Sequence, residues 1–188
     1  MHIVLETPRL RLRQFTTDDI GLLFDLNSDP DVMRFLGPAP SLETLQGEII
    51  PFHLSVYQQY DRLGTWAAQE RTTGEFLGWF HLRPGPGQDT SNIELGYRLR
   101  RATWNKGYAT EGSAALIEMG FAELEATRAF GLTMTVNAAS RRVMEKCGLT
   151  LVRTFPYDGP GPVEGAEHGE VEYALTRAEW EANRDGFR

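Results

Sequence analysis

The sequence predicts an α/β protein built on a single mixed sheet of six to seven strands flanked by about four helices. Three observations carry this. Period-two alternation of apolar and polar residues recurs over 10–15 and 92–99. A hairpin is written into 65–82. The order of elements runs strand, helices, three strands, helix, strand, helix and two strands, so helices punctuate the strands throughout.

Leu10-Arg11-Leu12-Arg13-Gln14-Phe15 reads as a half-buried first strand. Thr16 and Asp19 form an N-cap pattern for a helix with Ile20, Leu23 and Phe24 on one face, closed at Asp29-Pro30. A short segment over 32–36 ends at Gly37-Pro38. Ser41 caps the next helix through Leu42, Leu45 and Ile49, and Pro51 must kink or split it before Tyr60. Residues 65–70 and 76–82 are strands joined by the turn Thr72-Thr73-Gly74-Glu75. In the strand over 92–99, Ile93, Leu95, Tyr97 and Leu99 share one face, and Glu94, Gly96 and Arg98 the other. A loop over 100–106 leads to a helix over 108–124, a strand over 129–136, a short helix over 140–147 stopped by Gly148, and a strand over 149–155. A glycine-rich loop over 158–169 precedes a last strand over 171–175, after which Thr176 and Glu179 cap a terminal helical turn.

A length of 188 residues suits one domain spanning 1–188, and 41% apolar with 24% charged residues allows a core without staples. Cys147 is the only cysteine, which excludes an intrachain disulfide and a multi-thiolate metal site. Nothing has metal-ligand spacing, so no metal is expected. His53, His81 and His168 are scattered and read as structural. The N-terminus lacks a signal-peptide layout, and no apolar run approaches the roughly 20 residues that span a bilayer. A cytoplasmic protein with no membrane partner is expected. The net charge of −7 argues against a nucleic-acid partner.

The most informative stretch is Leu99-Arg100-Arg101-Ala102-Thr103-Trp104-Asn105-Lys106-Gly107-Tyr108-Ala109-Thr110-Glu111, where a strand ends and a helix begins. Helix N-termini expose unpaired N–H donors and a positive dipole end, which suits a pyrophosphate. One helix and one strand downstream lies Asn137-Ala138-Ala139-Ser140-Arg141-Arg142-Val143-Met144-Glu145-Lys146-Cys147-Gly148-Leu149. The first stretch resembles the pyrophosphate loop of GNAT N-acetyltransferases, written Q/R-x-x-G-x-G/A. The second resembles their N-x-x-S/A…E-K-x-G-F segment. Leu5-Glu6-Thr7-Pro8-Arg9-Leu10, Asp29-Pro30-Asp31-Val32-Met33 and Glu94-Leu95-Gly96-Tyr97 further resemble the RimJ/RimL-type branch.

The resemblance implies a GNAT fold, in which two central strands splay apart and acetyl-CoA lies in the gap as cosubstrate. It implies acetyl transfer to a primary amine of a small molecule or peptide, in a ternary complex, by a monomer or homodimer. The backbone of Tyr97, Arg98 and Leu99 would pair with pantetheine. Asn105, Lys106, Gly107, Tyr108, Ala109 and Thr110 would hold the pyrophosphate, and Asn137 would line the channel. Two departures stand out. Trp104 replaces the usual Gln or Arg, a loss that Arg100 or Arg101 is placed to offset. Met144 replaces the tyrosine that protonates the leaving thiolate, and the alternative reading is a catalytically weak acyl-CoA-binding or regulatory protein.

An alkylammonium with a pKa of about 10.4 is protonated at neutral pH and needs a base before it attacks a thioester. Glu94 is the expected base and Glu111 the alternative. Ser140 is the expected proton donor to sulfur, although serine at a helix start also serves as an N-cap. Residues 31–60 and the loop over 158–170, with Phe35, Tyr57, Tyr157, Glu164, Glu167 and Glu170, are expected to form an acceptor wall suited to a cationic amine.

Overall fold

Residues 2–183, described by a computed structural model, begin with a strand absent from the sequence reading. β1 (Ile3–Glu6) turns back at Thr7, whose Oγ1 accepts from Leu10 N at 2.8 Å, and pairs antiparallel with β2 (Leu10–Gln14). Pairing continues antiparallel through β3 (Gly64–Glu70), β4 (Phe76–Pro84) and β5 (Asn92–Leu99). The helix α5 (Tyr108–Glu123), numbered fifth in chain order, crosses over and returns the chain as β6 (Arg128–Met134), parallel to β5. α6 (Ala138–Lys146) leads to the edge strand β7 (Thr150–Phe155), and β8 (Glu170–Thr176) inserts antiparallel between β6 and β7. Among the described residues the mixed sheet therefore holds eight strands rather than six or seven.

Successive residues of β3 and β4 enter two separate cores, so both faces of the sheet are covered at these strands. Trp66, Ala68, Phe80 and Leu82 pack with Leu116, Ile117 and Phe121 of α5. Ala67 and Trp79 face Phe15, Leu23, Leu26, Leu45 and Ile50. The second core is supplied largely by α1 (Ile20–Ser28) and α4 (Ile50–Gln59). Phe24, expected on the inner face of α1, is 41% exposed, and Leu26 and Asn27 complete the buried stripe instead. A buried fork ties α1 to the sheet: Arg13 donates to both oxygens of Asp19 at 2.7 Å. Burial alone would raise the Asp19 carboxyl, but Arg13 and the Thr16 amide outweigh it and hold the group below the usual range.

Asp29-Pro30 opens a helix as well as closing one. Asp29 Oδ1 accepts from Asp31 N at 2.9 Å, and Pro30, whose missing N–H costs nothing in a first turn, starts α2 (Pro30–Met33). Ser41 Oγ accepts from Thr44 N at 3.1 Å and caps α3 (Leu42–Thr44). The break that Pro51 demands is a π-helical turn over Leu45–Ile49, after which α4 restarts with the proline in its first turn. Thr176 and Glu179 cap α7 (Arg177–Asn183) reciprocally, at 2.8 and 3.3 Å. These short turns and the division at Pro51 explain why seven α-helical segments stand among the described residues where about four were expected.

The strand pair β5–β6 is splayed. Only Asn92–Arg128, Ile93–Ala129 and Glu94–Phe130 are paired; from Leu95 and Gly131 onwards the two strands part. Among the described residues no helix is long and apolar enough to cross a membrane.

Candidate active site

The open end of the gap leads to the turn before α5. Asn105 and Gly107 have φ of 59° and 83°, which curls the backbone. The amides from Asn105 to Thr110 consequently have no hydrogen-bond partner among the described residues. Six free donors at the positive end of a 16-residue helix form an anion cradle. A Cβ on Gly107 would meet only Arg9 Nη2, at 3.3 Å, so the turn is open to a ligand on its other side.

Arg9 braces this turn: Nη1 donates to Lys106 O at 2.8 Å, and the guanidinium lies 4.6 Å over the Tyr108 ring. Its N and Nε donate to Glu111 at 2.9 and 2.6 Å, and Thr7 Oγ1 donates to the same carboxylate at 2.6 Å. Glu111, the alternative base, thus has both oxygens engaged in fastening α5 to the β1–β2 turn. The cations placed to offset Trp104 are also engaged: Arg100 pairs with Glu75 at 3.6 Å and Arg101 with Asp31 at 2.6 Å. Trp104 itself donates its indole N–H to Leu99 O at 2.9 Å, fixing the end of β5. Lys106 is exposed beside the cradle.

Across the gap, Asn137 and not Ser140 is the N-cap of α6. Asn137 Oδ1 accepts from Ser140 N at 3.1 Å, and Nδ2 donates to Thr133 Oγ1 at 3.0 Å. Ser140, freed from capping, accepts at Oγ from the Tyr97 hydroxyl at 3.2 Å. Burial pushes the Tyr97 phenol up to about 12, so it remains a donor at neutral pH. Met144 is buried against Gly131, whose Cβ would fall 2.8 Å from its sulfur. Cys147 is buried too, and burial pushes its thiol up to about 12, which removes it as a nucleophile.

Glu94 is the last β5 residue paired with β6, at the apex of the gap. Opposite Glu94, Gly96 and Arg98 on β4 stand Arg83, His81 and Trp79. Arg83 donates to Glu94 Oε2 at 3.2 and 3.3 Å, and Glu94 Oε1 lies 3.8 Å from His81 Nε2, beyond a hydrogen bond. Gly96 makes room for that imidazole, since a Cβ there would sit 2.5 Å from Nε2. On the same face opens a cavity of about 310 Å³. The sheet supplies Trp79, His81, Arg83 and Arg98; Asn27 comes from α1, and Met33, Leu36, Pro38, Ile49 and His53 close the outer side.

Residues of the segment over 31–60 line this cavity, and among the described residues none of the loop over 158–170 does. Glu164 is paired with Arg34, Tyr157 donates to Pro160 O at 3.2 Å, and Tyr57 turns inward to donate to Thr65 O. Among the described residues no carboxylate lines the cavity. His53 and His81, read from sequence as scattered structural residues, meet at this wall. The one cue was that His81 alternates with Trp79 and Arg83 on β4; His53 offered none. Trp66 packs in the opposite core.

Burial, with Arg83 adding to it, holds His53 down to about 4. His81 lies well below its ordinary value, through burial first and then Arg83, His53 and Arg98. Both rings are neutral at pH 7. An unfolded chain protonates these histidines below about 6.5, whereas folded His53 resists until about 4. In that window the unfolded state holds more protons, so stability falls as pH falls. Urea melts between pH 7 and 4.5 should show a slope of up to about 1.4 kcal/mol per pH unit from each histidine. His53→Gln should remove about half of it.

The family model of the acetyltransferase (GNAT) domain matches residues 9–150. The chain is 36% identical over 185 residues to an FsC-acetyl coenzyme A-N(2)-transacetylase of Aspergillus fumigatus, covering 94% of this chain and 77% of the relative. It superposes on a GNAT-family acetyltransferase from Bacillus anthracis with a TM-score of 0.78 at 23% identity, over 94% of this chain and 99% of that one. RimL, a ribosomal-protein alpha-N-acetyltransferase solved in complex with coenzyme A, gives a TM-score of 0.78 at 16% identity, over 93% and 98%.

Proposed function

Because the chain belongs to the GNAT acetyltransferase family, we propose that it transfers the acetyl group of acetyl-CoA to a primary amine seated in the cavity beside Glu94. The observation that carries this reading is the splayed gap itself: it joins an anion cradle at one end to a carboxylate and a small-molecule-sized cavity at the other. The family fold and the coenzyme A in the RimL structure support acetyl-CoA as the cosubstrate, which supplies the activated acetyl group.

The residues divide the work. The free amides from Asn105 to Thr110, with Lys106 beside them, are suited to the pyrophosphate. The unpaired edge of β5 over Tyr97, Arg98 and Leu99 offers backbone groups to pantetheine, and Asn137 holds α6 along the other bank. Glu94 accepts the proton that the ammonium must lose before its nitrogen attacks directly in a ternary complex. A backbone N–H near the end of β5 receives the developing oxyanion. Ser140 gives its proton to the departing sulfur and takes one from the Tyr97 hydroxyl, 3.2 Å behind it, which regains a proton from water. This pair takes the place of the tyrosine that Met144 has displaced. The acceptor is a small-molecule or peptide amine.

A thermal-shift titration with acetyl-CoA, coenzyme A and ATP tests the cofactor assignment. A ligand at 100 times its dissociation constant adds about 2.7 kcal/mol to stability. A raised melting temperature with both coenzyme A ligands and none with ATP is expected; equal shifts with ATP, or none with acetyl-CoA, would overturn it.

A further inference from the structure

Arg98 is a half-buried cation with no counter-ion among the described residues. It lies on the cavity face of β5, its guanidinium 5.2 Å over the Trp79 ring. Nη1 donates to Asn27 Oδ1, while Nε is buried and unpartnered. Among the described residues no carboxylate lies within ion-pair distance of it. His81 Nε2 is a second buried polar atom left unpartnered on the same wall.

A charge partly withdrawn from water without its partner carries a desolvation cost, which an anion bound in the cavity would offset. Burial pulls the Arg98 guanidinium down to about 10, still charged at pH 7. The surroundings add to the imbalance. The wall carries two arginines and two neutral histidines and no acid, in a chain whose net charge is −7. Glu94, four residues away on the same strand face, is held by Arg83.

From this arrangement we infer that the amine accepted at this site also carries a carboxylate, and that Arg98 binds it. The inference rests on the reading of the cavity as the acceptor site. A guanidinium presents parallel N–H donors that match the two oxygens of a carboxylate. The indole of Trp79 and the Asn27 amide fix the fork, so it is pre-organised for such a partner. Glu94 and Arg98 are four residues apart on one strand face, about 13 Å between Cα atoms. The cavity's volume of about 310 Å³ suits an amino-acid-sized acceptor. This narrows the expectation of a mixed aromatic and acidic wall suited to a cationic amine.

The test compares α,ω-amino acids, from glycine to 6-aminohexanoate, with their amides of equal chain length. Thiol release from acetyl-CoA is measured for wild type, Arg98→Gln and Arg98→Lys. At the best chain length the carboxylate should exceed its amide in kcat/KM by about 10- to 100-fold, the worth of a charge-assisted pair. Arg98→Gln should bring that ratio near one, and Arg98→Lys should restore part of it. Because each ratio is taken within one variant, an altered affinity for acetyl-CoA does not enter it. Equal rates for acid and amide in wild type, or a preference that survives Arg98→Gln, would overturn the inference. Melting shifts of the coenzyme A-bound protein with pentanoate and pentanamide decide it without turnover. A larger shift with pentanoate supports it, and equal shifts refute it. Failure to acetylate any amine, by contrast, counts against the acetyltransferase reading alone.

Discussion

Replacing Glu94 with glutamine should lower kcat for acetyl transfer at pH 7 by about 10²- to 10³-fold, in the range of general-base effects. At that pH an alkylamine of pKa about 10.4 is free in only about one molecule in 2,500. Glu94 sits at the apex of the β5–β6 gap, where an amine in the cavity would approach the thioester. The amide keeps the shape and can still accept from Arg83, but it no longer takes a proton. The pH profile separates this role from a packing role. As pH rises towards the pKa of the amine, free nucleophile becomes abundant, and the gap between wild type and variant should close. A defect of constant size from pH 7 to 10 would assign Glu94 to structure. Glu111→Gln makes the contrast: with both oxygens on Thr7 and Arg9, its loss should weaken the α5 turn and acetyl-CoA binding, with no pH-dependent gap.

Gly78→Ala should destabilise the fold by about 3–5 kcal/mol, the sum of backbone strain and overpacking. Gly78 has a φ of 137°, and an added Cβ would lie 2.1 Å from Arg98 O and 2.7 Å from Leu99 Cα. Those atoms are backbone, so relief means pushing the end of β5 away from β4. That end carries the Arg98 side chain and the edge offered to pantetheine, and acetyl-CoA affinity should fall with stability. Gly74→Ala is the control. Its φ of 74° is also left-handed, but a Cβ there meets nothing within 4 Å, so only the conformational cost of about 1 kcal/mol remains. Urea denaturation of the three proteins measures both values; equal losses would show that the close approach at Gly78 is unimportant.

The run from β5 through α6 was legible because each element has a strong local pattern. Alternation marks Ile93, Leu95 and Leu99, and the glycine turn at Gly107 opens α5. β1 was not legible: four residues, exposed at both ends, carry no alternation, and the strand exists through its pairing with β2. Asp29-Pro30 carries two meanings, helix end and helix start, and only the Asp29–Asp31 hydrogen bond decides between them. At the candidate site, Glu94, Ser140 and the turn proposed for the pyrophosphate were singled out by position along the chain. The Tyr97–Ser140 contact joins residues 43 apart, and the cavity draws Asn27, His53, His81 and Arg98 from four elements. Such meetings are made by packing and leave no periodic trace. The unpaired state of Arg98 is likewise a tertiary fact, since a strand arginine in sequence reads as an ordinary solvated one.

The most direct test of acetyl transfer at this cleft is a two-substrate initial-rate study with a reactive amine, following thiol release and N-acetylated product together. Intersecting lines, with one thiol released per acetylated amine and the rate cut by Glu94→Gln, are predicted. Thiol release independent of amine, or parallel lines from an acetylated enzyme, would contradict direct attack in a ternary complex.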